Sequence, residues 1–90
     1  MAKLADEKRE THSQYTSEFI AVANKLKEAG GDIEVISAAL MSASGIYATY
    51  STSGNEGFLH DGGIEKVTEV YKKNLAYIQE IKKAQIEDAK

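Results

Sequence analysis

From Val35 through Asn55 the chain runs for twenty-one residues without a charged side chain. The rest of the sequence is richly charged, so this run restricts what the segment can become. A membrane span needs about 20 predominantly apolar residues. Here the apolar positions are interrupted by Ser37, Ser42, Ser44, Thr49, Ser51, Thr52 and Ser53, with Asp32 and Glu34 just before the run. The better fit is a helix covered on most of its surface. Ile33, Ile36, Leu40, Ala43, Tyr47 and Tyr50 recur at spacings of three and four, forming an apolar seam. At about 100° per residue, Ala38, Ser42, Gly45 and Thr49 fall on the opposite side. All four are small and uncharged, where a solvated face would carry Lys and Glu.

Two further segments have helical periodicity. Tyr15, Phe19, Val22, Ala23 and Leu26 mark one apolar face, which ends at Ala29-Gly30-Gly31. Its start is open between two signals: Thr11-His12-Ser13-Gln14 fits a capping box, whereas good helix formers reach back to Lys3. Met1 and Leu4 are the only large apolar residues before Thr11, so residues 1–10 are expected to fray. Asp32 is placed to cap the second helix. Ile64, Val67, Tyr71, Leu75, Ile78 and Ile81 mark the third, widened by Val70, Tyr77 and Ala84 and opened by Asp61-Gly62-Gly63. The expected helices are 12–29 (or from 3), 33–51 and 63–86, with a loop over 51–62 in which Phe58 and Leu59 fold back onto the core. No alternating β-branched run occurs. The expectation is one all-α domain over 1–90, a three-helix bundle assembled as a helical homodimer.

Composition narrows the function classes. Eleven Lys and Arg against fourteen Asp and Glu give a net charge of −3, without the basic footprint of a nucleic-acid binder. A helix–turn–helix arrangement would make the second helix the reader, and that helix offers no Lys or Arg to phosphate or guanine. Neither a nucleic-acid nor a membrane partner is expected. With no cysteine there is no disulfide framework, thiolate metal site or thiol nucleophile. His60, Asp61 and Glu65 are too few and too ordinary at a helix start to imply a metal. Gly62-Gly63-Ile64-Glu65-Lys66 lacks the Gly-Lys-Ser/Thr end of a phosphate loop. The 51–57 segment lacks the spacing of a calcium loop, and no nucleophile elbow occurs. No catalytic residue, cofactor or metal is therefore assigned, and the chain is not expected to be an enzyme. Met1 to Glu10 is a mixed-charge run with no apolar core, so a cytoplasmic protein without a signal peptide is expected.

Several stretches resemble a family of short, mostly helical bacterial proteins of unknown function. Ile20-Ala21-Val22-Ala23-Asn24 looks like its L-A-N stretch. Ser37-Ala38-Ala39-Leu40-Met41-Ser42-Ala43-Ser44, followed by Tyr47 and Tyr50, is similar to its second helix. Glu69-Val70-Tyr71-Lys72-Lys73-Asn74-Leu75 resembles its third. The resemblance covers about residues 19 to 80. It implies a helical fold and self-association, and it brings no activity. Where that family carries Arg and Asn beside the first aromatic, this chain has Ile46 and Ala48, so those polar groups are missing.

The function expected from the residues is that of a structural or protein–protein interaction module whose first partner is itself. The expected interface is the back of the second helix, with Ala38, Ser42, Gly45 and Thr49 allowing close approach and Met41 and Ile46 flanking them. The five tyrosines suggest an alternative, a small-ligand module with Tyr47 and Tyr50 facing a site at a subunit junction. An unidentified protein partner is also compatible with this surface. A far-ultraviolet circular-dichroism spectrum is expected to be helical, and one dominated by strand would overturn the all-α assignment.

Overall fold

The computed structural model describes residues 2–89, with side chains described from residue 5. The side chains of Met1 and Leu4, weighed above for the start of the first helix, lie outside that range. Three helices follow in order: α1 Ala2–Glu28, α2 Ile33–Ser53 and α3 Asp61–Ala89. No strand occurs among the described residues. The chain is all-α.

α1 takes the longer of the two starts. Its expected capping box does not form, because Thr11 is inside the helix and its hydroxyl donates to the Glu7 carbonyl one turn back, at 2.9 Å. Thr16 donates to the His12 carbonyl in the same way, at 2.8 Å. A hydroxyl satisfied by the preceding turn caps nothing. The helix formers from Ala2 to Glu10 decide the matter instead.

The end of α1 is closed by backbone geometry. Gly30 has φ +99°, a left-handed conformation that costs a residue with Cβ about 1–2 kcal/mol. The Gly31 N–H donates to the Leu26 carbonyl and the Gly30 N–H to the Lys27 carbonyl, both at 3.0 Å. This is the paired bonding of a Schellman turn. Gly31 is tight: a Cβ there would stand 2.8 Å from the Leu26 carbonyl oxygen and 3.2 Å from Ile36 Cδ1. Asp32 then caps α2 as expected, its Oδ1 accepting the N–H groups of Glu34 at 2.8 Å and Val35 at 3.3 Å.

α2 continues to Ser53, and α3 begins at Asp61, so the loop expected over 51–62 is confined to 54–60. Ser51, Thr52 and Ser53 are weak helix formers without being helix stops. The stop is Gly54, at φ +77° with its N–H on the Tyr50 carbonyl at 2.8 Å. At the other side, the Ile64 N–H donates to the His60 carbonyl at 2.9 Å, and Asp61 places its carboxylate in the first turn of α3. A negative charge there favours the helix dipole and offsets part of the propensity cost of Gly62 and Gly63.

The chain forms two compact units, Met1–Gly45 and Ile46–Lys90. In the first, Ala23 and Ile36 are half-buried near the α1–α2 turn, and every other described residue is exposed. In the second, the half-buried residues are Ala48, Thr49, Ser53, Leu59, Gly63 and Val67, around the α2–α3 turn. The expected covering of α2 on most of its surface is not seen: no described residue is buried. Leu59 folds back against Gly63, where a Cβ would lie 3.2 Å from Leu59 Cδ2. Phe58 does not, and is 68% exposed with its ring tilted on that of His60 at 4.9 Å.

Asp32→Ala is expected to lower stability by about 1 kcal/mol, because two α2 N–H groups lose their acceptor. Asp32→Asn should keep most of it. Urea unfolding followed by circular dichroism measures both, and equal stability of Asp32→Ala and the wild type would refute the cap.

Candidate functional site

The residues expected to build an interface lie along α2. Ala38, Met41, Ser42, Gly45 and Ile46 are all exposed. Met41 is 59% and Ile46 72% accessible, high values for large apolar side chains. Among the described residues, nothing outside the local helix backbone lies within 4 Å of where a Gly45 Cβ would stand. Thr49 differs. It is half-buried, with Ala48 and Ser53, on the part of α2 nearest the second turn. In the second unit it is therefore this side of α2, and not the seam tyrosines, that meets its surroundings.

Tyr47 and Tyr50 do come together. Their ring centroids are 5.6 Å apart at 61°, an edge-to-face arrangement of the kind that aromatic quadrupoles favour. Both rings border an open concavity of about 510 Å³ that also takes in Ile46, Thr49, Gly54, Asn55 and Gly57. Its floor depends on a close approach of backbone. A Cβ on Gly57 would overlap the Ser53 carbonyl oxygen, and the Gly57 N–H reaches the Gly54 carbonyl at 3.4 Å. The Ser53 hydroxyl donates to the Phe58 carbonyl at 3.4 Å, tying the loop back to the end of α2. The sequence pointed to the tyrosines through their helical spacing. It gave no sign that Gly57 completes the wall, because that contact depends on loop geometry.

The concavity is lined by phenols, an amide, a hydroxyl and apolar carbon, with no carboxylate, imidazole or ammonium among them. That set can hold a ligand by stacking and hydrogen bonding, and it lacks a base to move a proton. Among the described residues, no group of three His, Cys, Asp or Glu side chains is placed to hold a metal ion. No described helix is long and apolar enough to cross a membrane.

No protein-family model, curated protein or solved structure matches the chain. Function is therefore argued from the residues and their geometry alone.

Three glycines separate local strain from local freedom. Gly57→Ala should destabilise by about 1–3 kcal/mol through overpacking against Ser53. Gly54→Ala should lose about 1–2 kcal/mol through its positive φ. At Gly62 nothing lies within 4 Å of an added Cβ, and Gly62→Ala should be neutral or stabilising by up to about 1 kcal/mol. Thermal unfolding of the three variants checks the order, and a Gly57→Ala protein as stable as Gly62→Ala would refute the close approach.

Proposed function

We propose that this chain is a small self-associating helical protein, a structural or protein–protein interaction module whose working form is a homodimer. The observation that carries the reading is the exposure of its apolar side chains. Phe19, Met41, Ile46, Val70 and Tyr77 are each more than half accessible, and no described residue of either unit is buried. Fully burying a side chain of this kind stabilises by about 1.5–3 kcal/mol. Leaving so many in water forgoes the main favourable term in folding. A unit of this size has limited apolar area of its own to bury, so a second copy supplies what a single helix pair lacks. Twofold pairing is the commonest solution and sets the same patch of each chain against itself.

The back of α2 suits that role. Ala38, Ser42 and Gly45 let two helices approach closely, and Met41 and Ile46 supply larger anchors beside them. A glycine inside a helix costs about 1 kcal/mol relative to alanine, a cost that close packing against another helix offsets. The half-burial of Thr49 puts the end of this stripe against its own unit, so the centre of the proposed contact lies between Ala38 and Ile46.

The concavity beside Tyr47 and Tyr50 favours a second reading, a small-ligand site completed at a subunit junction. Native mass spectrometry of the purified protein separates the two, because it reports the subunit count and any retained small molecule together. The balanced charge and the absence of Lys and Arg from α2 support a reading without nucleic acid, and a cytoplasmic setting is part of the same proposal.

Sedimentation equilibrium on the wild type and on Gly45→Leu tests the interface. Among the described residues, an added Cβ at position 45 meets nothing outside the local helix backbone, and Leu has the better helix propensity, so the substitution should leave helicity intact or raised while weakening the dimer. A wild type that stays monomeric at high micromolar concentration would overturn self-association. A dimer unchanged by Gly45→Leu would move the interface away from the back of α2.

A further inference from the structure

The concavity beside Tyr47 and Tyr50 lies within the second unit, at the C-terminal end of α2. Three observations there agree in sign. The face of an aromatic ring carries the negative part of its quadrupole, and two rings, inclined at 61° with centroids 5.6 Å apart, border the space. A helix C-terminus carries partial negative charge, which Lys, Arg or His in the last turn would offset, and α2 has no basic residue there. Residues 46–65 include Glu56, Asp61 and Glu65 but no Lys or Arg, and Glu56 stands between two lining residues, Asn55 and Gly57. The stretch that builds the concavity thus supplies negative potential from three sources, and no Lys or Arg of its own meets it.

We propose that this concavity binds a small quaternary ammonium ion, a cation of the choline type, against the rings of Tyr47 and Tyr50. The inference rests on the small-ligand reading given above and names the ligand's class. A cation within about 6 Å of a ring centroid is attracted by the ring's face, and with the two centroids 5.6 Å apart one ion can stand within that distance of both. The kind of cation follows from the lining, which offers phenols, an amide, a hydroxyl and apolar carbon but no carboxylate. A metal ion or a primary ammonium would give up strongly held water there without an anion in contact. A quaternary ammonium has no N–H to satisfy, and its methyl groups suit the rings and the Ile46 side chain. A neutral apolar ligand gains less, because the site is open. Tyr47 is 69% and Tyr50 47% accessible, so burial is partial, whereas cation–π attraction acts at exposed sites too.

The test compares choline with its uncharged analogue, in which a tert-butyl group replaces the trimethylammonium at the same size and shape. Each is titrated to tens of millimolar into isotopically labelled protein at constant ionic strength, and backbone-amide and tyrosine-ring chemical shifts are followed. Choline is expected to shift the resonances of residues 46–57 saturably, and the analogue to bind there about 5–25-fold more weakly, the worth of two exposed cation–π contacts. Tyr47→Leu and Tyr50→Leu should each weaken choline by about 2–5-fold, while Tyr47→Phe and Tyr50→Phe keep most of the binding. Circular dichroism confirms that each variant is folded, and the two compounds on the wild type decide the matter even where one is not. If the analogue shifts the same resonances as tightly as choline, the ligand class is wrong while the small-ligand reading stands. If neither compound shifts them, or choline shifts only residues elsewhere, this inference is overturned, and the small-ligand reading then stands or falls on the native mass spectrum.

Discussion

Two helices joined by a short turn touch most closely where the turn holds them, and less as they run on. That constraint governs both units of this chain. In the first, only Ala23 and Ile36 are half-buried, close to the Gly30-Gly31 turn. In the second, half-burial is confined to a few residues around the 54–60 loop, ending at Val67 on α3. Beyond these points the described residues of each unit, taken by itself, are exposed. Local hydrogen bonding is nevertheless well provided. The Schellman turn, the Asp32 cap and the Gly54 stop satisfy helix ends that would otherwise lack partners. Secondary structure is thus specified within each helix and turn, while each helix pair by itself buries little of the apolar surface that normally stabilises helices in water.

The parts of the fold legible in the sequence are those set by neighbours along the chain. Gly30 and Asp32 announce a helix end and a helix start through their own backbone and side-chain chemistry, and both do so in the structure. The misplacements have local causes too. Thr11 matched a capping box in spelling, but a threonine preceded by ten helix-compatible residues bonds the turn behind it. Ser51 to Ser53 were read as loop by composition, and hydroxyl residues continue a helix until something stops it. What could not be read was the pairing of surfaces. Which side of α2 meets the second turn depends on the path of residues 54–60, and that path depends on the approach of Gly57 to Ser53. The covering of Phe58 failed for the same reason, since Leu59 takes the place against Gly63.

The proposed self-contact rests on one feature of α2. On α2 it is the lack of side-chain bulk at Ala38, Ser42 and Gly45 that makes a close approach possible, and such a face discriminates poorly between partners. Apolar area favours any cover and polar pairing restricts which cover is accepted.

Gly45 and Asn74 are also the positions where local preference opposes what stands there. A glycine weakens the middle of α2, and an asparagine interrupts the apolar face of α3. Among the described residues, an added Cβ at Gly45 meets nothing outside its own helix backbone, so a close approach at that point of α2 is open. Sequences that specify one structure keep local and global preferences in agreement, and departures concentrate where a further requirement acts. The second copy proposed above would meet the first departure, since close packing would offset the cost of the glycine.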